Sequence, residues 1–210
     1  DKQNEYFVFV KPDKDKCLQS EGNFQIIELP GKTYIDWEQI SLPKAVRKYE
    51  VDILHCTSNT APFSPGVPLI LLLHDVIYLE QNPLFQSSST WYQKLGNLYR
   101  KWNVPRAVKR SEKITTVSNY ERKNISFHFP EAREKLSTNY NAVGEHFYEI
   151  VNEIRNSRVK EAYNLPDEFL LFFGNTDPKK NTRNTLLGYL EYLKSNSEVY
   201  PIVLLDIKLE

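Results

Sequence analysis

Short apolar runs alternate along the chain with longer segments whose apolar residues recur at helical spacing. The runs predict strands at residues 6–10, 24–29, 51–55, 68–73, 113–117, 137–141, 169–173 and 200–205. The longer segments predict helices at residues 36–49, 91–110, 118–129, 149–163 and 181–194, and Ser118 with Glu121 predicts a capped start for the third of these. Because strands that alternate with helices form parallel sheets, the pattern predicts an α/β fold with a doubly wound, mostly parallel, Rossmann-like sheet.

The run 169–173 contains five consecutive apolar residues. A half-exposed strand would alternate apolar and polar residues, so this run predicts a strand that is buried on both faces. Gly174 closes the run, a basic loop with Lys180 follows, and Asn181 stands at the cap position of the next helix. The loop therefore lies at the carboxyl end of a parallel strand, where a helix N-terminus attracts anions. An ordinary turn with two solvated lysines would show the same spacing.

His74 follows the apolar strand 68–73 and is expected at the same edge of a parallel sheet as the ligand-binding loops. A histidine at this position is a candidate for contact with a ligand in the cleft. The alternative is a structural histidine whose ring bonds to a backbone carbonyl. Asp75 is interpreted as a structural residue that caps the following turn.

The segment 91–110 combines aromatic and basic residues at helical spacing. Pro105 is expected to kink this helix or to divide it in two. One interpretation is a basic amphipathic face that rests on anionic lipid. A solvated helix face above core aromatic residues explains the same pattern and is preferred.

Composition narrows the class of protein. Of the 210 residues 40% are hydrophobic, and Lys plus Arg equals Asp plus Glu at 27 each, which argues against a general nucleic-acid binder. The longest apolar run, residues 67–73, is too short to cross a bilayer. Cys17 and Cys56 lack metal-ligand or disulfide spacing, which favours a reducing cytoplasm. The chain has no Met and opens almost directly on a strand, so we expect a fragment.

Four motifs in series carry a resemblance to a known family. They are Val-Pro-Leu-Ile-Leu-Leu-Leu-His-Asp at 67–75, Ile-Thr-Thr-Val-Ser-Asn-Tyr-Glu-Arg at 114–122, Tyr-Asn-Ala-Val-Gly-Glu-His-Phe at 140–147 and Gly-Asn-Thr-Asp-Pro-Lys-Lys-Asn at 174–181. The last is similar to the Gly-Arg-x-x-Pro-x-Lys-Asn loop that opens the second Rossmann domain of retaining glycosyltransferases of family 4, the group 1 sugar-nucleotide transferases. The order and separation of the motifs also match that family.

The resemblance implies a two-domain B-type glycosyltransferase. Residues 1–147 would form the N-terminal, acceptor-binding Rossmann-like domain without its first strand, and residues 148–167 the interdomain segment. Residues 168–210 would supply the first β-α-β of the nucleotide-sugar-binding domain. Because most of the donor pocket would then be absent, we expect the fragment itself to be inactive.

The activity implied by the resemblance is transfer of a hexose from a nucleotide diphosphate sugar to a sugar or lipid-linked acceptor, in polysaccharide or glycolipid synthesis. His74 would be catalytic and lie near the transferred sugar. Gly174, Asn175 and Lys180 would hold the donor diphosphate, and Asn175 stands where the family has an Arg, without its charge. Neither cofactor nor metal is expected, since helix N-termini and Lys180 would stabilise the leaving diphosphate. The enzyme would be cytoplasmic, with residues 91–110 as the candidate for a peripheral contact with the inner face of the membrane.

The fold alone leaves two alternatives open, a sugar-nucleotide epimerase and a non-catalytic ligand-binding module. An epimerase would need an acid and base cluster in the cleft, and the sequence offers none. A Glu-x7-Glu pair beside a later strand end would favour transfer over binding. The two such spacings in this chain, Glu145 with Glu153 and Glu153 with Glu161, lie in or next to the interdomain segment with no neighbouring strand end, and are rejected.

Overall fold

The computed structural model describes residues 3–14, 18–80, 91–147, 153–175 and 180–206. The chain divides into two compact units, Asp1–Ala142 and Val143–Glu210. Within each unit, neighbouring strands run parallel, and helices lie between several of them along the chain. The predicted α/β, Rossmann-like fold class is therefore confirmed.

The described part of the first unit contains six strands in two parallel sheets. Its elements are β1 (Tyr6–Val10), β2 (Phe24–Glu28), α1 (Tyr34–Asp36), a π-helical turn (Trp37–Ser41), α2 (Leu42–Lys48), β3 (Leu54–Cys56), β4 (Leu69–Leu72), α3 (Ile77–Glu80), α4 (Trp91–Arg110), β5 (Lys113–Thr116), α5 (Asn119–His128), a 3-10 helix (Pro130–Lys135) and β6 (Leu136–Thr138). β1 pairs with β2, while β3, β4, β5 and β6 form one sheet in that order. Because all these strands are parallel, the carboxyl ends of β3 to β6 share one edge.

The core of the first unit is built from buried side chains of α2, α4, α5 and the four-stranded sheet. Leu69, Leu71 and Ile114 contribute fully buried side chains from β4 and β5, and Val104 and Val108 do so from α4. Each such side chain contributes about 1.5–3 kcal/mol by leaving water. This core holds β4 in place, and His74 lies just beyond the end of β4.

The predicted helix 36–49 is present as α1, the π-helical turn and α2, and α2 begins afresh with Pro43 in its first turn. At the end of the π-helical turn, the Leu42 N–H donates to the Trp37 carbonyl five residues earlier. Pro43 has no N–H to donate, so the regular bonding ladder cannot continue here and the turn widens. Glu38 lies in this wide turn and is only 2% exposed.

α4 runs through Pro105 as one helix of 20 residues. The predicted division at this proline is therefore wrong. The start of α5 is as predicted, because the Ser118 hydroxyl accepts a hydrogen bond from the Glu121 N–H at 3.1 Å. Ile125 of α5 is fully buried.

The second unit has one small sheet among its described residues. Its elements are a 3-10 turn (Glu145–Phe147), α6 (Glu153–Ala162), β7 (Leu170–Phe173), α7 (Thr182–Ser195) and β8 (Ile202–Leu205), with β7 parallel to β8. The expectation that the run 169–173 is buried on both faces is wrong, because Leu170, Leu171 and Phe173 are 45%, 53% and 69% exposed. A two-stranded sheet joined by one helix cannot cover both faces of β7, whatever the strand's composition.

Candidate functional site

His74 lies just beyond the end of β4, at the carboxyl edge of the four-stranded sheet. Its backbone N–H donates to the side-chain oxygen of Asn59 at 2.6 Å. Its ring Nε2 lies 3.0 Å from the carbonyl oxygen of Thr57. Both partners belong to the loop that follows β3, so this loop sets the position of the histidine.

The loop from Thr57 to Ala61 has a specific backbone conformation. Asn59 has a positive φ of 64°, a conformation that Asn adopts more readily than most residues. Its N–H donates to the Leu72 carbonyl at 3.1 Å, which fastens the loop to the last residue of β4. Asn59 therefore contacts both the end of the strand and the backbone of His74.

A buried carboxylate lies on the other side of this loop. The Thr60 hydroxyl donates to Oε1 of Glu38 at 2.5 Å, and the Tyr34 hydroxyl donates to the same oxygen at 2.8 Å. Oε2 of Glu38 accepts from Gln39 Nε2 at 3.0 Å and from the hydroxyl of Tyr99 on α4. Glu38 thus links the π-helical turn, the loop and α4.

The surroundings of Glu38 keep its neighbours protonated. Burial, reinforced by the Glu38 charge, raises the pKa of the Tyr34 and Tyr99 hydroxyls well above the usual range. The same two causes raise the pKa of the Cys56 thiol to about 12. The two tyrosine hydroxyls therefore remain hydrogen-bond donors at neutral pH.

Glu38 and its four hydrogen-bond partners, Tyr34, Gln39, Thr60 and Tyr99, form the Glu38 cluster. Sequence reasoning missed this cluster, although the sequence contains a signal for it. Glu38 precedes Leu42 by four residues and Ala45 by seven, so it shares the apolar face of the helical segment. Acidic residues are rarely buried, and one on such a face predicts a hydrogen-bonded internal carboxylate. The partners on the loop and on α4 could not be identified, because they are more than 20 residues away along the chain.

Asp75 caps the turn after His74, as predicted. Its carboxylate accepts from the Ile77 N–H at 3.3 Å. This contact assigns Asp75 a structural role beside the histidine.

In the second unit, the turn after β7 is closed by internal bonds. The Gly174 N–H donates to the Leu205 carbonyl at 2.8 Å, and the Asn175 N–H donates to the Thr182 hydroxyl at 3.1 Å. The Thr182 hydroxyl in turn donates to the Asn175 carbonyl at 2.7 Å. Lys180 is exposed, and residues 176–179 of the predicted anion loop lie outside the described residues.

Asn181 precedes α7 but does not cap it with its side chain, so that expectation is wrong. Its backbone is left-handed, with φ of 56°, and its side-chain oxygen instead accepts from Asn184 Nδ2 at 2.8 Å. A cap needs an extended backbone that directs the side chain at the N–H groups of the first turn. Those N–H groups therefore remain uncapped by Asn181.

The predicted site residues fall into two groups. His74 belongs to the first unit, where the structure brings it together with Thr57 and Asn59. Gly174, Asn175 and Lys180 belong to the second unit. Within the described ranges, no three His, Cys, Asp or Glu side chains are grouped as metal ligands would be.

These features define the first unit as a Rossmann-like α/β domain with an ordered histidine at the ligand-binding edge of its sheet. The family model described as Glycosyltransferase Family 4 matches residues 10–146. The match covers more than half of the 210 residues, so the chain belongs to this glycosyltransferase family and is a transferase of group 1. No individual curated protein matches it significantly.

The family match includes the Glu38 cluster, the loop and His74, and it ends before the turn at 174–181. The assignment of the donor diphosphate to Gly174, Asn175 and Lys180 therefore stays a prediction. The same holds for the catalytic role of His74.

Proposed function

We propose that the protein is a retaining glycosyltransferase that moves a hexose from a nucleotide diphosphate sugar to a sugar or lipid-linked acceptor. The observation that carries this proposal is His74, which is fixed at the carboxyl edge of the parallel sheet in a glycosyltransferase family 4 domain. A half-buried side chain held at this edge can contact a substrate that binds at the ends of the strands.

Lys180 and the N-terminus of α7 would bind the donor diphosphate. The N–H groups of Gly174 and Asn175 already have partners within the unit. The contact with phosphate therefore falls to the exposed Lys180 and to the first N–H groups of α7, which Asn181 leaves uncapped. Their positive charge and dipole would stabilise the negative charge that develops on the leaving diphosphate.

A lipid-linked acceptor would be reached through a contact between α4 and the membrane surface. Leu95, Leu98 and Trp102 are spaced along one stripe of this helix and are 63%, 65% and 51% exposed. The Arg106 guanidinium stacks over the Trp102 ring at 4.6 Å, and Lys109 and Arg110 follow on the same helix. An exposed apolar stripe followed by basic residues suits an anionic lipid surface that presents a lipid-linked acceptor.

This contact would be peripheral. Among the helices that the structure describes, none has the length and apolar character needed to cross a membrane. A cavity of about 550 Å³ lies beside the stripe, lined by Pro62, Phe63, Trp102, Arg106, Lys109 and Arg110. The cavity is large enough to receive a lipid headgroup.

The test is an assay of the full-length protein against a panel of nucleotide diphosphate sugars, with release of the nucleoside diphosphate as the readout. We expect one hexose donor to be consumed, and NMR of the product should show the anomeric configuration of the donor. An inverted product would overturn the retaining mechanism. Tight donor binding without turnover would instead support the binding-module alternative.

A further inference from the structure

Glu38 is a buried carboxylate without a basic partner in the described part of the chain. Its four hydrogen bonds come from hydroxyl and amide groups, those of Tyr34, Gln39, Thr60 and Tyr99. A buried charge is costly unless hydrogen bonds surround it, and an apolar side chain would fill this position without such a cost. The arrangement therefore points to a specific use of the Glu38 cluster beyond stability.

The cluster acts on one loop. Thr60, which donates to Glu38, directly follows Asn59, which accepts from the His74 backbone. On the far side of Thr60, Ala61 is held by Asn103 of α4, which donates to its carbonyl at 2.8 Å and accepts from its N–H at 3.2 Å. The loop is thus fixed at three successive residues, and the first of them holds the histidine.

The loop also determines which ring nitrogen of His74 carries a proton. The Thr57 carbonyl can only accept, so Nε2 at 3.0 Å must donate to it. In the neutral ring, Nδ1 is then an acceptor, and the described residues offer it no partner. A hydroxyl group of a sugar is a donor of the kind that Nδ1 would accept.

We propose that Glu38 and Thr60 are positioning residues that hold His74 in one orientation, with Nε2 protonated and Nδ1 open to a substrate hydroxyl. Its kinetic consequence rests on the proposed transfer activity, whereas the orientation of His74 does not. If the contact between Thr60 and Glu38 is lost, the loop moves more freely and the Thr57 carbonyl no longer selects one tautomer.

Thr60 offers a matched pair of variants. Thr60→Val keeps the shape of the side chain and removes the hydroxyl, whereas Thr60→Ser keeps the hydroxyl. Asn59→Gly provides an independent variant, since glycine tolerates the positive φ and only the side-chain acceptor is lost. Ile125→Val, in the buried face of α5, is a control that weakens the core without touching the loop.

The direct readout is the nitrogen NMR signature of His74 in the full-length protein, assigned by its loss in His74→Gln. The spectra are recorded at the alkaline end of a pH series, where the His74 signals no longer change with pH and the ring is neutral. The wild type should show a protonated Nε2 and an unprotonated Nδ1. Thr60→Val and Asn59→Gly should show a mixture of both tautomers, while Thr60→Ser and Ile125→Val should keep the wild-type signature.

The values of kcat and KM distinguish a loss of His74 orientation from a general loss of stability. Thr60→Val should lower kcat about tenfold with KM changed less than about twofold, and Thr60→Ser should restore it. A wild-type signature in Thr60→Val and Asn59→Gly would overturn the proposal, even if these variants melted at a lower temperature. If the wild type transferred no sugar, the proposed function would fail, and the NMR signatures would still decide whether the contact between Thr60 and Glu38 orients His74.

Discussion

The carbonyl oxygen of Thr57 lies 3.0 Å from Nε2 of His74. This hydrogen bond satisfies one ring nitrogen, as a structural histidine would require. It also orients the ring, as a catalytic histidine would require. Stability and turnover have to be measured on the same variant to separate the two roles.

We expect His74→Ala to fold and to lose turnover by about a hundredfold or more. The side chain is half-buried, and its removal deletes one neutral hydrogen bond, worth about 0.5–1.5 kcal/mol of stability. Loss of an oriented group at the reacting centre costs far more in rate. Urea unfolding and kcat of the full-length protein provide the two measurements, and an unfolded His74→Ala protein would support the structural role.

The pKa of Cys56 predicts a loss of stability at alkaline pH. Burial raises this pKa from its ordinary 9.0 to about 12 in the folded protein. The folded state therefore keeps a proton that the unfolded state releases, so this contribution is complete below about pH 9 and is lost as the pH rises towards about 12. The free energy of unfolding should fall by up to about 1.4 kcal/mol per pH unit in that range.

Cys56→Ala is the matched comparison for this pH dependence. The variant loses some packing at every pH, but its stability should fall less steeply between about pH 9 and about pH 10. Tyrosine ionisation is common to both proteins, so the difference between their slopes reports the thiol. Urea unfolding across this range gives both slopes. Identical slopes for the two proteins would contradict the raised thiol pKa.

The exposed stripe on α4 predicts binding to anionic vesicles. Replacing Leu98 and Trp102 with Ser should reduce cosedimentation with vesicles of phosphatidylglycerol and phosphatidylcholine about tenfold or more, because two apolar anchors are lost. Phe127→Ser is a suitable control, since Phe127 is 77% exposed on α5, away from this stripe. Equal losses in the control and the double variant would leave the stripe without a specific role.

The salt dependence of vesicle binding distinguishes the contribution of the basic residues from that of the apolar residues. Arg106→Gln should weaken binding at low salt and have little effect at about 1 M salt, where charges are screened beyond about 3 Å. Binding to neutral vesicles that matched binding to anionic ones would contradict a role for the basic residues.

The sequence predicted the element types well because each type has a local pattern. The capped start of α5 and the turn at Asp75 followed from side chains within three residues of the groups they bond. Exposure of β7 was not predictable from the five apolar residues at 169–173, because burial depends on which elements cover a strand. The Glu38 cluster depended on contacts from Tyr99 and Thr60, which no local pattern encodes.

Asn181, at the turn before α7, is a second case in which the residue type alone did not predict the structure. Its residue type suits a helix cap, yet its left-handed backbone directs the side chain to Asn184. Lys180 directly precedes Asn181. Among the described residues, it is the basic side chain on which the proposed diphosphate contact depends.

Lys180→Ala should lower kcat/KM of the full-length protein for the donor by at least about tenfold. Negative charge grows on the leaving diphosphate in the transition state, so a cation at the N-terminus of α7 helps most when that charge is fully developed. A hydrogen bond to a charged group contributes roughly 1.5–3 kcal/mol, and each 1.4 kcal/mol corresponds to about a factor of ten. Asn175 supplies no second charge where the resembling family has an Arg, so the upper part of this range is expected. Lys179→Ala is the matched control, although Lys179 lies outside the described residues, and it should have little effect. Equal, small effects of the two substitutions would show that the turn is only a solvated connection between β7 and α7, and the diphosphate would have to bind elsewhere.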